Sequence, residues 1–237
     1  TLFEIPGVSG QEAVLPEQID IWKKMEIIQE NDGTKASYDG HFIKIPTDQI
    51  RLLGQHNYFD IGIAYAVCSL LKIEDTVFIN GLKSYQPLPH RLQPLGEKDG
   101  IKYYDDSIST ICETTIQALN TLKDVDTVLI GGMDRGIDYS ELINFLSGHK
   151  VPHIILMEAT GKRILEEILN GYPDFQDKDR LVLTDHLEDA VAKAKELTRP
   201  GHSCLMSPAA ASYGIFKNFE ERGEVFARLV SGSDKLM

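Results

Sequence analysis

Five short apolar runs, each followed by a polar turn and a helix-like pattern, organise the second half of this 237-residue sequence. The runs are IKYY, TVLIGG, HIILM, RLVLT and SCLMS, and the helical patterns follow at residues 111–122, 139–146, 162–169, 187–197 and 213–229. Short apolar strands that alternate with helices favour a parallel sheet buried on both faces. The sequence therefore predicts an α/β domain of Rossmann-like type, with a mainly parallel sheet between two layers of helices.

The first half of the sequence has a different pattern of apolar residues and turns. At residues 35–45, Asp39 and Gly40 separate two strand-like runs, which predicts a β-hairpin because both turn positions favour positive φ. A helical pattern covers residues 63–71, and residues 74–85 fit either a strand or a helix, with the helix favoured. Two prolines near Pro87 interrupt the pattern, so we place a boundary there and expect domains at 1–86 and 87–237.

Composition excludes several classes of protein. The formal charge of −12 argues against a nucleic-acid or anionic-membrane surface, since either needs a basic face. Three widely spaced cysteines fit a reducing compartment, and there is no CxxC or HExxH motif for a zinc site. No signal peptide or membrane-length apolar run is visible. We expect a cytoplasmic protein, and the start in mid-pattern at Thr1 suggests a piece of a longer chain.

Ligands of an open parallel sheet bind beyond the carboxyl ends of its strands, so the segments at those ends are the candidates for a site. Asp106 ends the first run and is followed by hydroxyls at a helix start, a combination that suits an anion next to a ribose or cation. Arg135, in GGMDRG (131–136), either belongs to a tight turn or grips a carboxylate or phosphate. Neither a Walker A loop nor GxGxxG is present, which weakens a self-contained NTPase or a dinucleotide enzyme.

The PLPHR stretch that ends at Arg91 has two interpretations. Its prolines could form only a rigid linker, or they could present His90 for stacking on a base and Arg91 for contact with a phosphate.

Five motifs taken together are more specific than any one of them. In chain order, GQHNYFD, GLKSYQPLPHR, YYDDSISTICETTIQAL, LIGGMDRGIDYSEL and MSPAAASYGIFKNFEERGEVF resemble the Mur ligase family over about residues 54–230. The resemblance implies the end of a three-domain ligase that uses ATP and Mg²⁺, with its P-loop and metal ligands upstream of this chain. In the branch with the closest motifs, glutamate is added to UDP-N-acetylmuramoyl-L-alanine in peptidoglycan synthesis. Residues 1–86 would be the end of the central ATPase domain, and the domain after them would bind glutamate.

The resemblance also implies roles for individual residues. Adenine would contact Asn57, Asp60 and His90, the ribose would contact Asp106, and a phosphate would contact Arg91. The positions matching the glutamate site are Thr110, Arg135, Ser212, Tyr213 and Phe219. No residue of this chain matches a catalytic base, a nucleophile or a metal ligand.

Several positions depart from the family pattern. Ile108 stands where the family usually has a lysine, Arg135 replaces another lysine, Asp60 and Asp105 replace asparagines, and Tyr213 replaces a leucine. Because the charges beside the amino acid are altered, D- and L-glutamate both stay open as substrates. A sibling Mur-type or folate-type ligase that uses another amino acid is one alternative. A non-catalytic nucleotide-binding module is the other.

Overall fold

The computed structural model describes residues 24–30, 33–52, 54, 56–148, 151–175 and 177–232. The chain divides into two compact units, one formed by Thr1–Ile50 with Asn57–Tyr85 and the other by Arg51–His56 with Gln86–Met237. The part of the expected first domain that precedes residue 24 lies outside the described residues.

The first unit contains a three-stranded antiparallel sheet in the order β1-β2-β3, formed by β1 (Met25–Glu30), β2 (Gly33–Tyr38) and β3 (His41–Ile45). The hairpin predicted at residues 35–45 is confirmed. Asp39 and Gly40 form its turn with φ angles of 52° and 79°, the left-handed region that an Asp-Gly pair tolerates.

In the described part of the chain, the first unit also contains α1 (His56–Leu70), whose first residue is grouped with the second unit, and α2 (Asp75–Ser84). The Tyr65 ring packs on Phe78 with centroids 5.3 Å apart, and the Tyr65 hydroxyl donates to Asp75 Oδ1 at 3.2 Å. The segment at residues 74–85 is therefore a helix, as favoured from its sequence, and its Phe78 side chain is buried.

The second unit contains a six-stranded sheet in the order β4-β5-β9-β6-β7-β8. The strands are β4 (Gln93–Lys98), β5 (Ile101–Asp105), β6 (Val125–Gly131), β7 (His153–Met157), β8 (Leu181–Thr184) and β9 (Ser203–Met206). All neighbouring pairs are parallel except β4 with β5. Sequence reasoning missed β4, although the Asp99-Gly100 turn that joins it to β5 is a hairpin signal of the kind recognised at Asp39.

Helices cover both faces of this sheet, which confirms the predicted Rossmann-like α/β architecture. Val128 and Ile130 of β6 face α3 (Cys112–Thr121), α4 (Ser140–Gly148) and α5 (Glu158–Gly171). Leu129 of the same strand faces the opposite layer, formed by α6 (Leu187–Leu197) and α7 (Phe219–Ser231). The alternation along one strand buries apolar side chains on both sides, as a central parallel strand requires.

The last helix begins later than its sequence pattern predicts. Residues 213–218 form turns, and α7 starts only at Phe219. Asn218 caps the helix, because its side chain accepts a hydrogen bond from the Glu221 amide at 2.9 Å. Glu221 in turn accepts a hydrogen bond from the Lys217 amide. This reciprocal capping stops the helix from extending towards Tyr213.

Candidate functional site

Thr110, Arg135 and Ser212, three of the residues predicted for the glutamate site, lie on segments at the carboxyl edge of the six-stranded sheet. Strand β9 is inserted between β5 and β6, so the segments that follow these three strands emerge side by side. The two later segments also pair directly, through an antiparallel bridge between Met133 and Ala211. The segments after β6 and β9 are about 25 and 100 residues from the segment after β5 in the sequence, but all three meet at the carboxyl edge of the sheet. Open parallel sheets bind their ligands at this edge.

Arg135 and Thr110 are brought together at this edge. The Arg135 guanidinium is exposed and donates through Nη2 to the Thr110 main-chain carbonyl at 2.7 Å. Ser212, on the neighbouring β9 segment, is buried, and its carbonyl accepts a hydrogen bond from the Phe216 amide at 3.0 Å. The hydrogen bond places a cation beside the start of a helix, an arrangement that suits a carboxylate.

The two aspartates at the end of β5 are buried. Asp106 is 3% exposed, and its carboxylate accepts hydrogen bonds from the Leu92 amide at 3.0 Å and from the hydroxyls of Ser109 and Ser207 at 2.5 and 2.7 Å. Burial raises the pKa of Asp106 to about 6, although these hydrogen bonds act in the opposite direction. The carboxylate ties the β4, β5 and β9 segments together, a structural role that sequence reasoning did not assign. A ribose contact through Asp106 stays a prediction.

His90 forms a pair with the second aspartate. His90 Nδ1 lies 2.7 Å from Asp105 Oδ2, and the His90 ring meets the Phe219 ring edge-on, with centroids 6.1 Å apart. The hydrogen bond to Asp105 raises the pKa of His90. A Cβ atom on Gly223 would lie 2.2 Å from His90 Nδ1 and 2.5 Å from Asp105 Oδ2, so only glycine fits there. The histidine is thereby held at the start of α7 beside the site.

The other predicted residues differ in their exposure. Arg91 and Tyr213 are exposed on the second unit, and Ile108, the position of the missing lysine, is half-buried. Asn57 and Asp60 lie on α1 of the first unit, where Asn57 is half-buried and Asp60 is exposed. The nucleotide roles of these residues, like the glutamate-site roles given above, stay predictions.

Two charged residues at the carboxyl edge were missed. Arg222 is 1% exposed, and its guanidinium donates to Ser107 Oγ at 3.0 Å, to Ser107 O at 2.8 Å and to Ala210 O at 3.0 Å. Burial lowers the pKa of Arg222 to about 10. Its position was a usable signal, because Arg222 falls on the apolar face of α7 with Phe226 and Val230.

The second missed residue is Glu158, at the start of α5. It is 7% exposed and adopts a φ of 60°, which is uncommon for a residue with a side chain. Burial raises the pKa of Glu158, and the positive charge of Arg222 opposes that rise. Glu158 directly follows β7, so it places a buried carboxyl group at the same carboxyl edge of the sheet as Arg222.

Two absences hold for the part of the chain that the structure describes. No helix there is long and apolar enough to cross a membrane. No group of three histidine, cysteine, aspartate or glutamate side chains in those residues could hold a metal ion.

Comparison with curated proteins finds relatives over most of this chain, although no family model matches it. The UDP-N-acetylmuramoylalanine–D-glutamate ligase of Thermoanaerobacter sp. (strain X514) is 35% identical over 188 residues, which are 79% of this chain and 40% of the relative. The ligase of the same name from Geotalea uraniireducens (strain Rf4) is 33% identical over 208 residues, covering 88% of this chain and 44% of the relative. The chain therefore spans less than half the length of these relatives.

Solved structures show the same fold at low sequence identity. The UDP-N-acetylmuramoylalanyl-D-glutamyl-2,6-diaminopimelate–D-alanyl-D-alanyl ligase of Acinetobacter baumannii matches 87% of this chain and 43% of its own, with a TM-score of 0.57 and 15% identity. Folylpolyglutamate synthase of Mycobacterium tuberculosis, solved with ADP and AMPPCP, matches 90% of this chain and 48% of its own, with a TM-score of 0.59 and 13% identity.

The fold is thus shared with one protein named as a ligase of a UDP-N-acetylmuramoyl peptide and with one named as a folylpolyglutamate synthase. With the curated relatives added, the assignment becomes narrower. The chain belongs to the Mur ligase family and carries the α/β domain typical of the C-terminal part of its members.

Proposed function

We propose that the protein containing this chain is an ATP-dependent ligase that adds glutamate to UDP-N-acetylmuramoyl-L-alanine in peptidoglycan synthesis. The observation that carries this proposal is the Arg135–Thr110 contact at the carboxyl edge of the sheet, adjacent to the Ser212 segment. The names of the curated relatives support the same substrates. On this proposal the chain is the C-terminal part of the enzyme, and residues 1–86 end its central ATPase domain.

The reaction would proceed through an acyl phosphate. ATP transfers its γ-phosphoryl group to the terminal carboxylate of UDP-N-acetylmuramoyl-L-alanine, giving ADP and the acyl phosphate. The amine of glutamate, after losing a proton, attacks the acyl carbon to form a tetrahedral intermediate, which collapses to the amide as inorganic phosphate leaves. Water can hydrolyse the acyl phosphate before the amine attacks it. The site must therefore be enclosed to exclude water during the reaction.

The residues of this chain would position the substrates. Arg135 would pair with a glutamate carboxylate through its planar fork, with Thr110, Ser212, Tyr213 and Phe219 around the same molecule. ATP would contact His90, Arg91 and Asp106 on the second unit. The described residues contain no group of three histidine, cysteine, aspartate or glutamate side chains that could hold Mg²⁺, and we propose that its protein ligands lie upstream of this chain.

The stereochemistry of the glutamate is a finer part of the proposal. The curated relatives are named for D-glutamate, which favours that enantiomer. Ile108 in place of a lysine, together with Arg135 in place of another, alters the cations that would receive the two carboxylates. L-glutamate is therefore the second candidate, and one assay can compare the two enantiomers.

The test uses the full-length protein encoded by the gene that contains this chain. Phosphate release is measured with ATP, Mg²⁺, UDP-N-acetylmuramoyl-L-alanine and one amino acid at a time: D-glutamate, L-glutamate, L-lysine or diaminopimelate. We expect release with a glutamate enantiomer only. Release with another amino acid instead would indicate a sibling ligase, and no release with any amino acid would favour a non-catalytic nucleotide-binding module. Either result would overturn the proposal.

The isolated 237-residue chain should not catalyse the reaction. Its sequence contains no Walker A loop to hold the ATP phosphates. We expect no phosphate release from the isolated chain under conditions in which the full-length protein is active. Turnover by the isolated chain would show that it is not an incomplete ligase.

A further inference from the structure

Arg222 joins segments that are distant in sequence but adjacent at the carboxyl edge of the sheet. From the first turn of α7 its guanidinium reaches the main chain and hydroxyl of Ser107, in the β5 segment, and the carbonyl of Ala210, in the β9 segment. Ser107 Oγ itself donates to the Phe219 carbonyl at 2.7 Å. One buried side chain and one hydroxyl therefore hold three segments in a fixed relation.

The β6 segment packs against the same guanidinium. A Cβ atom on Gly132 would lie 3.0 Å from Arg222 Nη1 and 2.4 Å from the Ala211 carbonyl oxygen. The main chain of the β6 segment can approach both groups this closely only because residue 132 is glycine. Arg222 is thus in contact with, or hydrogen-bonded to, each segment that emerges beside the site.

Each of these segments carries a residue assigned above to the glutamate site. Ser107 is three residues from Thr110, Ala210 is two from Ser212, Gly132 is three from Arg135, and Phe219 is itself one of the set. We infer that Arg222 is the positioning residue of the amino-acid site, holding the segments that bear Thr110, Arg135, Ser212 and Phe219 in register. This inference rests on the function proposed above, because it takes glutamate as the ligand.

The chemistry of the side chain fits a positioning role and not a direct contact with substrate. Arg222 is 1% exposed, so a ligand at the surface of the edge does not reach it. A guanidinium presents donors in a rigid plane, which lets it reach two carbonyls and a hydroxyl at once, whereas a lysine ammonium has no such fork. The negative charges of Glu158 and Asp105 lie near enough to favour its charged form, which offsets part of the cost of burial.

The experiment compares three variants of the full-length protein. Arg222→Lys keeps the charge and loses the fork, and Ser107→Ala removes only the hydroxyl that links Arg222 to Phe219. The matched control is Arg180→Lys, because Arg180 also donates to the carbonyls of two other segments, those of Leu146 and Val151. Arg180 directly precedes β8, so it lies at the amino edge of the sheet, away from the proposed site. KM for glutamate, KM for ATP, kcat and thermal stability are measured for each variant.

We expect KM for glutamate to rise about 10- to 100-fold in Arg222→Lys, since displacement of binding groups by about 1 Å has effects of that size. Ser107→Ala should show a smaller rise of the same kind, and in both variants KM for ATP should change less than KM for glutamate. Arg180→Lys should lower the melting temperature without changing KM for glutamate. If Arg222→Lys does not fold, Ser107→Ala decides the question alone.

An unchanged KM for glutamate in the folded variants, or an equal rise in Arg180→Lys, would overturn the positioning role while leaving the proposed function intact. If the wild-type protein ligates neither glutamate enantiomer, the proposed function fails, and the inference fails with it.

Discussion

The guanidinium of Arg135 donates a hydrogen bond to the main-chain carbonyl of Thr110, 25 residues earlier in the chain, at 2.7 Å. This contact links the segment after β6 to the helix start after β5, across the inserted strand β9. It uses one nitrogen of the guanidinium, so other donors of the exposed fork can face a ligand. A carboxylate that binds at this edge would face the Arg135 guanidinium, whose orientation is already fixed by this hydrogen bond.

Replacing Arg135 tests that cation directly. Arg135→Ala should raise KM for glutamate by roughly 30-fold or more, because losing one charge-assisted carboxylate pair costs about 2 kcal/mol or more. Arg135→Lys should be milder, since the charge survives while the fork is lost. Steady-state kinetics with both glutamate enantiomers measure the effect, and Arg228→Ala, at an exposed arginine on the last turn of α7, is the control. An unchanged KM in Arg135→Ala would remove this residue from the site.

Gly223 should tolerate no side chain. Because a Cβ atom would lie 2.2 Å from His90 Nδ1, Gly223→Ala should destabilise the second unit by about 1–3 kcal/mol, the usual range for overpacking. Gly171→Ala is the matched control, since nothing lies within 4 Å of its added Cβ and the residue ends helix α5. Thermal melts of both variants give the comparison, and equal melting temperatures would show that the His90–Asp105 pair moves aside at little cost.

The cap of α7 should contribute measurably to stability. Asn218→Ala removes the acceptor for the Glu221 amide, and loss of such a cap typically costs about 1 kcal/mol. Asn218→Asp keeps a side-chain acceptor and should retain most of that stability. Urea unfolding of the two variants measures the difference. If both are as stable as the wild type, the hydrogen bond seen at Asn218 is not stabilising the helix.

His90 should make stability depend on pH. The folded protein raises the pKa of His90 through its hydrogen bond to Asp105, while the unfolded chain has the ordinary value of about 6.5. The protonated form is thus favoured by folding, so this stabilisation is complete below about pH 6.5 and is lost as pH rises through the folded pKa. His90→Gln should lack that part of the pH dependence.

Two measurements check the histidine prediction. Free energies of unfolding for wild type and His90→Gln at several pH values should converge as pH rises. An NMR titration of His90 gives the folded pKa directly, and Asp105→Asn should lower it. A His90 pKa at or below the ordinary value would contradict the pairing.

The sequence by itself determined the local elements and the kind of edge at which a site could form. Apolar runs alternating with helical patterns predicted the parallel strands and the helices on both faces, because period and turn residues act over a few neighbours. The same local chemistry predicted the Asp39-Gly40 hairpin and placed Asp106 and Arg135 after strands. The resemblance to the Mur ligase family implied which ligands these residues would bind.

Only the tertiary structure decided which segments are neighbours and which polar groups are buried. The insertion of β9 between β5 and β6 brings the Ser212 segment beside those of Thr110 and Arg135, and it depends on strand pairing across about 100 residues. In the folded structure the buried carboxylate of Asp106 accepts hydrogen bonds from three protein donors. The buried guanidinium of Arg222 links the segments that follow β5 and β9. These outcomes depend on non-local packing, since desolvation and hydrogen-bond partners come from segments that no local pattern can specify.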